Sequence, residues 1–402
     1  MQDGELPYRR LTIVIGLGLF FDVFDVFLAG TLGTVLVKSF GLTQNQLPAV
    51  LGSGFLGMFV GSTFVGAVAD RIGRRPAFLV NLGIYSLFTL AGAFSPNAPF
   101  LVATRFLAGI GIGAQMPLSD AYLSEVLPAR VRGQMIAFAY TIGFCGVPAV
   151  GLSARVLVPL NVLGVEGWRW LFVAGSLGAF VIWFLQHHIV ESPRWLEARR
   201  HPRTSFLALF ERTNVGRVLM LYVFQIFQTV GYYGFGTMVP LVLASKGFSI
   251  LSSLSYTTIA FIGYPVGSAL SLLVIERLDR RALIALSALA MAAFGLALGF
   301  STSRARIAVF GILYTLVSNV FSNAFHVLQG EIFPTAIRGR AAGSAYGLSR
   351  LSSAAMPFAM VPVLNRYGPG AMFMVIAAAM IIVVADIALF APATTGRPLE
   401  EI

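Results

Sequence analysis

Asp70-Arg71-Ile72-Gly73-Arg74-Arg75 sits between two apolar stretches, 48–69 and 76–95, and returns 206 residues later as Glu276-Arg277-Leu278-Asp279-Arg280-Arg281. A second segment, Glu125-x-x-Pro128-x-x-x-Arg132-Gly133, returns at the same offset as Glu331-x-x-Pro334-x-x-x-Arg338-Gly339, and Tyr140 recurs as Tyr346. One such match could arise by chance; three in register mark an internal duplication. The 402 residues therefore divide into an N-terminal half at 1–190, a charged linker at 191–216 and a C-terminal half at 217–402.

Composition sets the solvent of both halves. Apolar residues make up 57% of the chain and charged residues 11%, with a mean hydropathy of +0.82. A soluble protein carries about a quarter of its residues charged, so most of this surface must face lipid. Twelve apolar stretches are long enough to cross a bilayer: 11–37, 48–69, 76–95, 99–122, 134–158, 167–190, 217–243, 252–275, 282–300, 305–328, 341–364 and 370–391. They lack the alternation of a membrane barrel. The expected fold is an all-α membrane protein of twelve transmembrane helices in two six-helix bundles, parallel repeats about an axis along the membrane normal.

The net charge of +11 serves topology. With both termini inside, the inner segments hold 19 Lys and Arg and the outer ones five, namely Lys38, Lys246, Arg304, Arg306 and Arg366. That asymmetry predicts cytoplasmic N- and C-termini. No basic soluble domain exists to bind nucleic acid. A single cysteine, Cys145, and four histidines without zinc spacing predict no disulfide, metal or cofactor. No Gly-x-x-x-x-Gly-Lys-Ser/Thr motif or Ser-His-Asp arrangement argues for nucleotide hydrolysis or for chemistry on a substrate, so no enzyme is expected. The acidic N-terminus, with Asp3 and Glu5, predicts an uncleaved first span rather than a leader.

Charges inside the apolar stretches single out the candidate site. Asp22 and Asp25 lie near the middle of the first span on nearly one face, where a carboxylate must be paired, protonated or hydrated. Burial favours its protonated form and a nearby arginine its charged form, so moving between the two environments can couple a proton to a conformational change. Arg105, in the fourth span, is the natural partner, either as a coupling device or as a static ion pair. Arg350 lies near the bilayer centre in the eleventh span and cannot shed its proton. Its anion is either the substrate or a fixed partner, for which Asp386 is available. Gln225, Gln228, Tyr232 and Tyr233 in the seventh span, Asn319 and Asn323 in the tenth, and Tyr140 and Tyr346 complete a candidate polar cavity. His326 is either titratable or structural.

Gly66-x-x-x-Asp70-Arg71-x-Gly73-Arg74-Arg75 resembles the loop between helices two and three of the major facilitator superfamily. The likeness extends along essentially the whole chain. Arg105-x-x-x-Gly109-x-Gly111-x-Gly113 with Tyr122-x-x-Glu125 resembles the fourth helix of sugar porters and organic-ion and aromatic-acid carriers. Glu191-Ser-Pro-Arg-Trp-Leu196 and Thr395-Gly396-x-x-Leu399-Glu400-Glu401 fit the same grouping. Asp22-Val23-Phe24-Asp25 is similar to the Asp-Gly-x-Asp motif of proton-coupled aromatic-acid carriers, with Val23 in place of glycine. Gln228-x-x-Gly231 matches part of a sugar-binding pattern, but Phe227 and Tyr233 replace two of its amides.

The resemblance implies alternating access. Asp70, Arg71, Arg74, Arg75, Glu125, Arg132, Glu191, Glu276, Arg280, Glu331 and Arg338 would form a cytoplasmic gate. Asp25 and Arg105, with Asp22, would couple the proton, and an arginine in the eleventh helix is associated with carriers of organic anions. The resulting expectation is a symporter importing a small organic anion, such as an aromatic or other carboxylate, with protons across a bacterial inner membrane. Its partners would be substrate, protons and lipid, with no nucleic acid and no obligatory protein partner, acting as a monomer. Three rival readings are a sugar or polyol symporter, an exporter of amphipathic cations and a non-transporting sensor or scaffold of this fold.

Overall fold

In the computed structural model, residues 5–392 are described apart from 44, 188, 193–195, 197–208, 212–213, 276 and 334; side chains are described for all of these except 5–7, 64–71, 129–133, 330 and 335–339. The chain forms two compact units, Met1–Pro202 and Arg203–Ile402. Most of the expected linker lies outside the described residues.

Among the described residues, fifteen helices cover the twelve expected spans, because several spans break within their apolar run, at Leu32, Ala114, Cys145 and Ile262. In the first unit these are α1 (Glu5–Thr31) with α2 (Gly33–Phe40), α3 (Gln46–Ile72), α4 (Arg74–Ala93), α5 (Ala98–Gly113) with α6 (Gln115–Val126), α7 (Ala129–Phe144) with α8 (Gly146–Leu157), and α9 (Gly167–Gln186). The second unit holds α10 (Val215–Ser245), α11 (Ile250–Phe261) with α12 (Gly263–Val274), α13 (Arg280–Phe300), α14 (Arg304–Glu331) and α15 (Thr335–Phe390). The last is two spans joined at Gly368, whose φ of 81° breaks the helix. Ten helical stretches among the described residues are long and apolar enough to cross a membrane as they stand. A two-residue hairpin, β1 (Asn161–Val162) with β2 (Val165–Glu166), replaces an expected loop and turns through Leu163 and Gly164, both at positive φ.

The duplication reaches into packing. A Cβ on Gly61 of α3 would lie 2.1 Å from the carbonyl oxygen of Ile110 in α5. A Cβ on Gly267 of α12 would lie 2.1 Å from that of Leu316 in α14. Both pairs are related by the 206-residue offset, so one backbone contact is built twice from small residues. Gly267→Val should therefore destabilise the protein by about 1–3 kcal/mol through overpacking, read as a lower melting temperature in detergent. Gly343→Ala, which meets nothing within 4 Å, should leave that temperature unchanged.

Helix ends follow the same offset. Arg169 donates to the carbonyls of Ala93 and Ser95 at the C-terminal end of α4, both at 2.8 Å. Lys246 donates to those of Gly299 (2.7 Å) and Ser301 (2.8 Å) at the C-terminal end of α13. Two bases from different elements thus satisfy equivalent orphan carbonyls, and partial burial pulls the Lys246 ammonium below its ordinary pKa.

Candidate functional site

In the first unit, α1 and α5 bring Asp25 and Arg105 together deep in the bundle. Asp25 is fully buried and Arg105 nearly so. Arg105 Nη1 donates to Asp25 Oδ2 at 2.6 Å, and Nη2 to the Asp25 main-chain carbonyl at 3.0 Å. Thr89 of α4 donates to Asp25 Oδ1 at 3.3 Å, and the guanidinium lies 5.9 Å from the Phe172 ring of α9. Such a pair persists in a low-dielectric bundle only because both charges are matched and hydrogen-bonded. A narrow cleft beside it, lined by Val26, Leu51, Gly54, Phe55 and Arg105 among others, has room for about one water. Asp22, one turn from Asp25, is 2% exposed, and its Oδ2 has no hydrogen-bond partner among the described residues.

The second unit holds Arg350, 2% exposed in α15. Its guanidinium carbon lies 4.7 Å from the Tyr233 ring centre and 4.2 Å from that of Tyr346, a two-ring cage that suits a weakly hydrated planar cation. Its Nε and Nη1 donate to no group among the described residues. Among the described residues, the fixed partner offered by the sequence, Asp386, forms no ion pair with it, and Asp386 is itself buried with Oδ2 accepting from none of them. Gly368 separates the arms of α15 that carry these two residues.

The other cavity candidates fall into separate groups. Gln228 donates to Gln225 at 2.9 Å, and Gln225 to Gln329 at 3.3 Å. Tyr232 donates to Asn319 at 3.0 Å, and Asn319 to the Tyr264 carbonyl at 2.6 Å. Asn323 ties α14 to α12 through Ser271 at 2.6 Å and Ser268 at 3.4 Å. Tyr140 belongs to the first unit, where its hydroxyl donates to Asp120 at 2.7 Å. Asp120 is an acidic residue of the fourth span that the charge pattern did not single out. His326 lies 5.7 Å from the Phe325 ring.

The gate candidates resolve into one motif per unit. Arg74 at the start of α4 holds Glu125 at the end of α6, with Nη2–Oε1 3.0 Å and Nε–Oε2 3.4 Å. Arg280 at the start of α13 approaches Glu331 at the end of α14, 3.6 Å apart. The two pairs are again 206 residues apart. Capping differs between them. Glu191 accepts from the main-chain N–H groups of Arg74 (2.9 Å) and Arg75 (3.2 Å), and Gly73, at φ 109°, leaves it room. In the second unit, Asp279 stands at the position of Gly73 and caps α13 with its own side chain. Arg75 also donates to the His187 carbonyl at 2.6 Å. Glu276 and the side chains of Asp70, Arg71, Arg132 and Arg338 lie outside the described residues.

Comparison with known proteins supplies a family. The profile described as Major Facilitator Superfamily matches residues 15–357. The niacin transporter NiaP of Acinetobacter baylyi is 30% identical over 433 residues, covering 99% of this chain and 97% of its own. A gentisate transporter of Corynebacterium glutamicum is 29% identical over 365 residues, covering 87% of this chain and 80% of its own. Among solved structures, a D-xylose-proton symporter superposes with a TM-score of 0.80 at 23% identity, covering 96% and 99% of the two chains.

Proposed function

The chain belongs to the major facilitator superfamily, whose members are multi-pass membrane transporters and not enzymes, and from that premise we propose that it imports a small organic anion together with protons by alternating access. The carrying observation is Arg350: a buried guanidinium held between Tyr233 and Tyr346, with Nε and Nη1 making no hydrogen bond and with no ion pair among the described residues. Arginine stays charged at any physiological pH, so a visiting carboxylate supplies the anion that the site lacks. Niacin and gentisate, for which two relatives are named, are both aromatic carboxylic acids. The tyrosine rings beside Arg350 suit an aromatic acid in the same way.

Asp25 and Arg105 carry the proton step. Protonating Asp25 removes one charge of the pair and loosens α1 from α5, while the Arg74–Glu125 and Arg280–Glu331 pairs act as the cytoplasmic latch. The distribution of Lys and Arg supports cytoplasmic termini in a bacterial inner membrane. The protein acts as a monomer, with substrate, protons and lipid as its partners.

Proteoliposomes supplied with aromatic carboxylates, dicarboxylates, sugars and organic cations, each with and without an inward proton gradient, test this reading. Uptake of a carboxylate raised by the gradient is expected. Uptake of sugars alone would replace the reading with a sugar symporter, and export of cations with an exporter. Binding without flux of any class would leave a sensor of this fold.

A further inference from the structure

Three carboxamides in the first unit are buried with both their donor and acceptor atoms unmet. Gln115 of α6 is 1% exposed, Gln186 at the end of α9 0%, and Asn81 of α4 1%. The oxygen and nitrogen of each side chain have no hydrogen-bond partner among the described residues. The hydroxyl of Ser119, one turn beyond Gln115, and Oδ2 of Asp22 share that condition.

Gln115, Gln186 and Asp22 lie along one face of α1. The position of a Cβ on Gly18 lies 2.8 Å from Gln186 Nε2 and 3.6 Å from Gln115 Nε2, so both amides crowd a single glycine. Asp22 is one turn along α1 from that glycine, on the same face. Tyr85, one turn from Asn81 on α4, donates to the carbonyl of Phe21, the residue before Asp22. Towards the Arg74–Glu125 end, Ile15, Phe78, Leu118, Tyr122 and Ile189 form an apolar seal, with the Phe78 and Tyr122 rings edge to face at 5.6 Å.

Leaving buried polar groups unmet is costly, and native interiors leave few of them. A bound cation would satisfy the amide oxygens and strand the nitrogens; an anion would do the reverse. A neutral group that both donates and accepts serves them together, and water is the smallest such group. Resting on the reading above in which Asp25 takes up the proton, we infer that α1, α4, α6 and α9 enclose a hydrated pocket beside Gly18 whose waters receive that proton by way of Asp22, one turn from Asp25 on α1. In that step the carboxyl O–H bond breaks, its electron pair stays on the carboxylate, and the proton passes to a pocket water. The Phe78–Tyr122 seal keeps it from leaking until the latch opens.

The test uses the full-length protein with Gln115→Leu and Gln186→Leu combined, and Gln186→Met alone as the milder variant should the first fold poorly. Infrared difference spectra between protein hydrated in H2(16)O and H2(18)O report the O–H stretches of buried water. The carbonyl stretch that disappears in Asp22→Asn reports the hydration of Asp22. Expected in the glutamine variants are loss of the buried-water bands, a shift of the Asp22 band to that of a dry carboxylic acid, and about a tenfold fall in proton-driven accumulation. Counterflow exchange should stay within about twofold of the parent. Unchanged water bands would overturn the pocket, and lost bands with full accumulation would overturn its proton role. A parent protein that moves no carboxylate would instead refute the transport reading, while the infrared bands would still decide whether the pocket holds water.

Discussion

Arg350→Ala should bind the transported carboxylate at least about thirtyfold more weakly and take up none of it at concentrations that saturate the parent. The expectation follows from truncating one partner of a buried, hydrogen-bonded charge pair, which costs about 2–5 kcal/mol, and each 1.4 kcal/mol is about tenfold in affinity. Arg350 meets those conditions: it is 2% exposed, and the two rings fix its plane, leaving Nε and Nη1 for the ligand. Arg350→Lys keeps the charge but loses the flat, two-pronged surface that stacks on Tyr233 and Tyr346, so it should bind only partly better than the alanine variant. The carboxamide of the same acid should fail to bind the parent. Stability separates this from a folding defect. Without ligand the parent holds a buried charge that lacks an ion pair among the described residues, so Arg350→Ala should melt no lower than the parent. With ligand only the parent should gain melting temperature. Equal affinity of Arg350→Ala and the parent for the acid would remove the anchor from the mechanism.

The fold was legible wherever the sequence had to satisfy lipid. Twelve long apolar stretches and a 206-residue repeat left little freedom, and the repeat foretold contacts as well as topology: Arg74 meets Glu125 as Arg280 meets Glu331. Where the spans break was not legible. Leu32, Ala114, Cys145 and Ile262 interrupt helices inside unbroken apolar runs, and hydropathy is blind to a local change of backbone direction. The hairpin at 161–166 is equally silent, since two-residue strands carry no periodicity.

In the candidate site, formal charge was the readable signal. A carboxylate and an arginine at bilayer depth each demand a partner, so Asp25 and Arg105 could be matched before any coordinates. Amides make no such demand. Gln115, Gln186 and Asn81 sit in helices apolar on most sides, where the hydrophobic pattern does not say which face turns inward. The offer of Asp386 to Arg350 shows the opposite error: charge balance proposes a pair, but the turn at Gly368 decides where the second arm of α15 runs. Glu191 was read as a gate residue from its motif, and its role as the cap of α4 depends on Gly73 lacking a side chain, which only geometry reveals.

Asp25→Asn should abolish proton-driven accumulation and leave counterflow exchange running. A pH difference of one unit is worth about tenfold accumulation per coupled proton, so in voltage-clamped proteoliposomes the variant's internal-to-external ratio should fall from that level to about one. The side chain keeps its size and Thr89 keeps a partner, but the amide cannot exchange a proton. Removing the charge does not leave Arg105 stranded, because Nη2 retains the Asp25 main-chain carbonyl at 3.0 Å and the Phe172 ring lies 5.9 Å away. Breaking a buried pair outright costs about 3–5 kcal/mol, and these remaining contacts should keep the loss below that range. The same contacts let the parent's own protonation loosen α1 from α5 without unfolding the bundle. Asp25→Glu restores a titratable carboxyl one methylene longer, so it should recover accumulation at a lower rate, which an ion pair with a purely structural role would not require. Undiminished accumulation in Asp25→Asn would move the proton elsewhere, and Asp22, buried one turn away with an unpartnered oxygen, would become the carrier to test.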